Sequence, residues 1–408
     1  MSRAFACRSC GSRDVEPVLS LGKVPLVNAL ADPDGSGDDP RFPLDVVRCP
    51  VCTLVQITET VPPETLFRDY TYFSSYSQTF LDHAEAFAEK SIAELALAET
   101  SLVVEAASND GYLLRYFVRA GVPSLGIEPA ANIAEIARAG GIETIAEFLD
   151  VDLARRIVAG RGQADLVVAN NVLAHVPDPH GFVGALGILA GADGRISVEV
   201  PYLRDLVDRL EFDTIYHEHL SYFTVTSLVR LLEPHGLTVR HVERLPVHGG
   251  SLRVSVGHGA EPAAAVEQLI AEEATWGVSD SARFAQFAGD VARLRAELNR
   301  FVTELTSSGA VVAAYGAAAK GVVLANTCDL GADLIRFVCD RNPHKQGKLL
   351  PGVRIPVVAP ERLADDRPDF CVIFAWNVAD EVAAQQAAYR AAGGRFITPV
   401  PTPQVLAA

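Results

Sequence analysis

The sequence predicts an α/β fold in three parts, and three observations carry that prediction. Two C-x₂-C pairs are crowded into the first 52 of 408 residues. A long central stretch alternates short apolar runs with helix-like patterns, the mark of a doubly wound parallel sheet. A mostly helical stretch then leads into a second, smaller run of the same alternation. At roughly 150 residues per domain, the length suits two or three domains. The expected boundaries are a head over 1–67, a core over 68–260, and a helical connector with a C-terminal Rossmann-like unit over 261–408.

The head is read first. Cys7-x₂-Cys10 and Cys49-x₂-Cys52 are two knuckles separated by 38 residues, including the turn-rich run ADPDGSGDDP at 31–40. Four thiolates close a tetrahedral shell and leave no open position, so the expectation is one structural Zn²⁺ on these four cysteines. Two disulfides or idle thiols are the alternative, and reduced surroundings disfavour the former. Cys328, Cys339 and Cys371 sit in or beside apolar segments and read as buried thiols.

Composition narrows the partners. The net charge is −16 and the pI about 5.1. That argues against nucleic acid or an anionic membrane as the main partner, but leaves room for a nucleotide in a local basic pocket. No apolar run approaches the roughly 20 residues of a membrane span. MSRAFACRSCG has no apolar segment of signal-peptide length, so a cytoplasmic protein is expected. A monomer is favoured.

In the core, Leu102–Ala106, Pro123–Ile127, Asp165–Ala169 and Ile196–Val200 read as strands. Gly111–Ala120 and Ala131–Ala139 read as helices. Glu105 ends the first strand, and the small-residue turn Ser108-Asn109-Asp110-Gly111 follows. Such a turn lets a ligand approach the backbone. Glu128 lies 23 residues beyond Glu105, after the second strand, where an acid suits two ribose hydroxyls. The fourth-strand edge carries Asn170 and Asn171, with His175 just beyond. This ordered trio resembles the S-adenosylmethionine-dependent methyltransferases. The resemblance makes Glu105, Ser108, Asn109, Gly111, Glu128 and Asn170 the candidate cofactor residues. Ala107 departs from the usual glycine of that turn. NAD competes as a ligand, but no G-x-G-x-x-G is present.

The segment EFDTIYHEHLSYF (211–223) packs titratable and aromatic side chains densely. His217 and His219 flank Glu218, but the H-E-x-x-H spacing of a zinc protease is absent. Tyr70, Tyr72 and Tyr76 form a possible pocket lid, equally compatible with packing. With these residues on the page, the chain resembles, over nearly its whole length, the nucleotide-sugar C-methyltransferases of branched deoxysugar (antibiotic) biosynthesis. The resemblance rests on the two-knuckle head, SNDG, GIEPAANIA, YHEHLSYF, VHGGSLRV (247–254), and AAKG with CDRNPHKQGKLLPG. It implies transfer of methyl from S-adenosylmethionine to a carbon of a nucleoside-diphosphate (commonly thymidine) 4-keto-deoxysugar. C-3 is favoured and C-5 is the runner-up. A hydrogen alpha to a ketone can be removed by a positioned base to leave an enolate, with donors for the oxyanion.

Carried over by motif, His219 is the base, Tyr216 and His175 lie near the keto oxygen, and Glu218 orients its neighbours. Tyr70, Tyr72, Tyr76, Asn171, Tyr222, His248 and Lys320 are substrate candidates. In the third unit, strands are expected at Ala310–Tyr315, Ile335–Cys339, Val353–Val357 and Phe370–Phe374. Lys320, Arg341, His344 or Lys348 stand as candidates for the diphosphate, against a pure packing role for this unit. Two rivals from other classes are an NAD-dependent oxidoreductase and a non-catalytic zinc scaffold.

Overall fold

The computed structural model describes residues 5–35, 39–67, 73–259 and 261–407, and the side chains of these except Phe67 and His248. The head is a small antiparallel sheet of Glu16–Pro25, Arg41–Arg48 and Val55–Ile57, completed by Ser221–Tyr222 from the core. The sequence reading marks turn material at 31–40 and names no strand here. Register shifts at Pro17/Leu19 and Ser20/Lys23 bring Val18, Leu21 and Val24 inward at a spacing of three, which hides the period of two that announces a strand.

The core sheet has seven strands in the order 237–245, 251–258, 195–201, 166–170, 103–106, 124–127, 144–145. The last five are parallel; 251–258 pairs antiparallel with Arg195–Pro201, and 237–245 pairs antiparallel with 251–258. The expected helix at Gly111 begins only at Leu114. Positive φ at Ala107, Asn109 and Gly111 keeps the preceding turn irregular. Ala131–Ala139 is helical as expected.

The tail sheet runs 357–358, 338–339, 312–315, 370–373, 395–398, 404–405, parallel except for the last strand. Val353–Val357 is not a strand over its length. Arg354 has φ +53° and donates its backbone N–H to Leu350 in a tight turn, leaving Val357–Val358 to pair.

The connector is two helices with separate allegiances. Ala264–Trp276 sends Val266 and Leu269 into the core that surrounds the seven-stranded sheet. Its buried Glu273 accepts the N–H groups of Val225 (2.7 Å) and Thr226 (2.8 Å), which cap the Val225–Leu232 helix. Ser281–Ser307 instead lays Phe284, Phe287, Val291, Leu294, Leu298 and Val302 into the hydrophobic core shared by head and tail.

The tail also grips the head. Ala31 bridges Leu349, Asp39 accepts from Gly352 N–H at 2.6 Å, and Lys348 pairs with Asp32. Thus the ADPDGSGDDP run is docked at both its ends. No helix among the described residues is long and apolar enough to cross a membrane.

Candidate active site

The four knuckle sulfurs lie within 4.8 Å of one another. Cys7 and Cys52 are 3.5 Å apart, and Cys10 and Cys49 are 3.4 Å apart. A Zn–S distance of 2.3 Å in a tetrahedron requires sulfurs about 3.8 Å apart, so the donor set fits zinc. Each knuckle closes alike: Gly11 N–H donates to Cys7 O, and Thr53 N–H to Cys49 O, both at 2.9 Å. Gln56 Nε2 donates to Cys7 Sγ at 3.1 Å as an outer support. Among the described residues this is the one such ligand group. His217 and His219 cannot chelate together, because His217 Nε2 turns into the head, 3.1 Å from Pro43 O.

At the carboxyl edge of the core sheet, Glu105, Asp110 and Glu128 are all buried. Burial and the neighbouring acids hold the Glu105 carboxyl well above the usual range. Burial pushes Glu128 up to about 7, although it accepts two backbone N–H groups, from Asn109 (3.0 Å) and Ala130 (2.8 Å). Buried Glu105 Oε2, Ser108 Oγ, Asp110 Oδ1 and Asn170 Oδ1 have no protein hydrogen-bond partner. Four unfilled polar atoms and three acids on one rim fit a polar, cationic ligand, and a sulfonium amino acid with a ribose is one. Gly111 (φ +75°) is required on space as well: a Cβ there would stand 2.7 Å from Ile142. Asn109 also accepts from Ser74 N–H at 2.9 Å, tying the turn to the segment that enters helix Gln78–Leu95.

The chemical cluster lies on the far side of the same edge. His219 Nδ1 is 2.8 Å from Thr214 O, which fixes Nδ1 as the protonated nitrogen. The Tyr216 hydroxyl then donates to His219 Nε2 at 2.8 Å. The His175 ring meets His219 edge-on, with centroids 4.7 Å apart. Burial lowers His175 to about 4, so it is neutral near pH 7. Glu218 Oε1 accepts from Asn28 Nδ2 at 2.6 Å. Both line a cavity of about 440 Å³ with Leu26, Ala29, Glu64, Thr65 and Leu66. The head therefore contributes walls of the cavity as well as a metal site. Asn171 (φ +54°) lies 3.5 Å from Glu199, a fully buried carboxylate held by Arg253 (2.7 Å) and His83 (3.0 Å).

The other substrate candidates are placed as follows. Tyr70 and Tyr72 lie outside the described residues, as does the side chain of His248. Tyr76 is exposed and stacks on Phe73, which stacks on His344 of the tail. Tyr222 is buried and paired with Val55 in the head sheet, with its ring centroid 6.4 Å from that of His219. Lys320 sits over the Trp376 ring at 4.4 Å, near Glu211 and Asp213. Arg341 pairs with Glu381 and Lys348 with Asp32, so these cations face carboxylates. The two glycines of VHGGSLRV are explained by close approach. A Cβ on Gly249 or Gly250, both at positive φ, would lie 2.3 Å from Glu211 Oε2 or Asp205 Oδ2. Asn28, Thr214, Glu199 and His83 were not singled out by sequence. Arg253 was quoted only within VHGGSLRV.

Family models cover most of the chain. They are "Putative zinc binding domain" over 7–67, "Methyltransferase domain" over 80–242 and "C-methyltransferase C-terminal domain" over 246–401. The chain is 39% identical over 406 residues to the C-methyltransferase NovU of Streptomyces niveus, covering 98% of this chain and 97% of that protein. The chain belongs to the S-adenosylmethionine-dependent C-methyltransferases. Solved methyltransferase structures align with just under half of the chain. Magnesium protoporphyrin IX methyltransferase from Synechocystis, with bound SAM, is 15% identical, covering 49% of this chain and 99% of that one (TM-score 0.36). The 1,6-didemethyltoxoflavin-N1-methyltransferase of Burkholderia thailandensis is 17% identical, covering 44% and 78% (TM-score 0.33). The family model named for zinc binding spans all four clustered cysteines of this C-methyltransferase.

Proposed function

We propose that this C-methyltransferase acts on a nucleoside-diphosphate 4-keto-deoxysugar, with thymidine the favoured base, and methylates C-3 through an enolate. The observation that carries the reading is the Thr214–His219–Tyr216 chain beside the Glu218 cavity. An oxygen or nitrogen nucleophile has lone pairs to attack with, whereas a carbon nucleophile must first lose a proton. The cluster supplies a neutral imidazole of fixed tautomer next to a phenol donor.

In the ligand-free chain these two groups satisfy each other. A keto oxygen arriving beside Tyr216 takes over its O–H, which frees the His219 Nε2 lone pair. That lone pair accepts the hydrogen alpha to the ketone, and the C–H electrons delocalise onto the oxygen as an enolate. His175, neutral throughout, adds no positive charge to oppose protonation of His219. S-adenosylmethionine, when bound, would supply an electrophilic methyl on a sulfonium: as the enolate carbon takes the methyl, the methyl–sulfur bond would break with its electron pair going to sulfur, leaving neutral S-adenosylhomocysteine, and the proton on His219 would pass to solvent. Glu128 would take the ribose hydroxyls, Glu105 and Asp110 would line the amino-acid end of the cofactor, and Asn171 and Glu218 would orient the sugar.

The test is a panel of nucleotide-linked 4-keto sugars incubated with S-adenosylmethionine and read by product mass and NMR. A new C–CH₃ at C-3 supports the reading. A methyl at C-5 moves the site of attack, and an O- or N-methyl product overturns the enolate route.

A further inference from the structure

The role of the tail is open once Lys320, Arg341 and Lys348 are seen to face carboxylates. The tail strands Val312–Tyr315 and Phe370–Ile373 are neighbours at the point where the strand order reverses, where open α/β sheets present their loops to ligands. Lys320 follows the first of these strands and Trp376 the second. What they meet is a piece of the same chain. Trp376 Nε1 donates to Asp213 Oδ2 at 2.6 Å. Asp213 is fully buried, and the Phe212–Thr214 turn packs on the tail helix Ala319–Thr327. The next residue, Thr214, offers the carbonyl that holds His219 Nδ1.

We propose that the tail holds the catalytic base: the Trp376–Asp213 hydrogen bond pins the 211–214 turn, so that the Thr214 carbonyl keeps His219 in its Nδ1–H tautomer. Trp376 and Asp213 are then positioning residues, and neither touches substrate. The turn is tight, closed by Thr214 N–H to Glu211 O (3.0 Å) and Ile215 N–H to Phe212 O (3.0 Å). Rotating Asp213 away therefore moves the adjacent carbonyl. Glu211 is braced from behind by Gly249, where no Cβ could fit. Without the Thr214 acceptor, the Nε2–H tautomer competes, and a protonated Nε2 can neither accept from Tyr216 nor take a proton from substrate. Burial raises the Asp213 carboxyl, while the Lys320 charge, the indole N–H and the backbone N–H groups of Asp213 and Thr214 lower it, so the tail supplies the two largest influences that favour its ionised form. The inference rests on His219 being the base.

The test uses zinc-loaded, full-length enzyme with S-adenosylhomocysteine and ¹⁵N-histidine labelling, His219 being assigned by its loss in His219→Asn. The expected wild-type signature is a pyrrole-like Nδ1 and an unprotonated, hydrogen-bond-accepting Nε2. Trp376→Phe should move both signals toward the tautomer average. It should also lower kcat about 10- to 100-fold, the scale of a misplaced catalytic group, while cofactor affinity stays within about twofold. Asp213→Asn keeps an oxygen for the indole and should retain the wild-type signature. If Trp376→Phe does not fold, Asp213→Ala breaks the same link from the other end. Unchanged His219 signals and kcat in a folded link-breaking variant overturn the proposal. Loss of methylation in Trp376→Phe with unchanged His219 signals overturns it as well. Should His219→Asn remain active, the base assignment fails, and the nitrogen signals still report whether the tail sets the tautomer.

Discussion

Glu128→Gln separates two effects that the wild-type carboxylate combines. In the folded chain Glu128 is 5% exposed, faces Asp110 across the same rim, and titrates at about 7 rather than 4.5. The unfolded chain sheds this proton near 4.5 and the folded chain only near 7. Stability of the ligand-free enzyme therefore falls as pH rises between those values and is constant above them. The difference corresponds to about 3 kcal/mol. Gln cannot ionise, so it removes that penalty. Its single oxygen cannot keep both backbone N–H bonds, however, and losing one costs about 1 kcal/mol. The ligand-free variant should then be about 1–2 kcal/mol more stable than wild type at pH 8, and slightly less stable at pH 5. S-adenosylmethionine affinity should fall by about 1.5–3 kcal/mol, the range for hydrogen bonds to a charged group. Urea unfolding across pH, with calorimetry of cofactor binding, reads both quantities. A stability difference independent of pH would refute the buried-acid argument, and an unchanged cofactor affinity would remove Glu128 from the site.

Other perturbations test separate links. The purified chain should carry one zinc by metal analysis, and Cys10→Ser should lower its Tm and yield; zinc-free protein of full stability contradicts the closed four-thiolate shell. Asn28→Ala should reduce kcat roughly tenfold, the equivalent of one charge-assisted hydrogen bond of about 1.5 kcal/mol, with cofactor affinity unchanged; wild-type kcat would show that Glu218 needs no support from the head. Ala107 has φ +56°. An L-residue there costs roughly 1–2 kcal/mol, and glycine returns about 0.4–1 kcal/mol through the unfolded chain, so Ala107→Gly should stabilise by about 0.5–1 kcal/mol in denaturant titration. Destabilisation would mean that the Ala107 methyl contributes packing that outweighs its strain.

Local signals in the sequence survive folding well. The cysteine spacing marks a metal shell because four thiolates need only two short turns. Glu105, SNDG and Glu128 mark a ligand edge because strand–turn–helix alternation fixes where they fall. The density of YHEH draws attention to 211–223, and the Nδ1–Thr214 contact spans only five residues within that segment. What the sequence conceals is contact across the fold. Asn28 reaches Glu218 across 190 residues, Trp376 reaches Asp213 across 163, and Ser221–Tyr222 joins a sheet that begins in the head. No local period encodes such pairings. Lys320 shows the same limit from the other side: a lysine after a glycine turn suggests an anion site, and the partners that neutralise it come from the core.

The central claim is that His219 removes a carbon-bound proton before methyl transfer. Hydrogen exchange isolates that step: a thymidine-diphosphate 4-keto-6-deoxyhexose in deuterated water, with S-adenosylhomocysteine in place of the methyl donor, followed by NMR at the carbons alpha to the ketone. Wild-type enzyme should exchange the C-3 hydrogen. His219→Asn should lose exchange and methylation by about 10²–10⁴-fold while binding cofactor normally, since one positioned base contributes on that scale. His175→Asn should be milder, because an amide still donates a hydrogen bond. Exchange at the wild-type rate in folded His219→Asn would contradict the account.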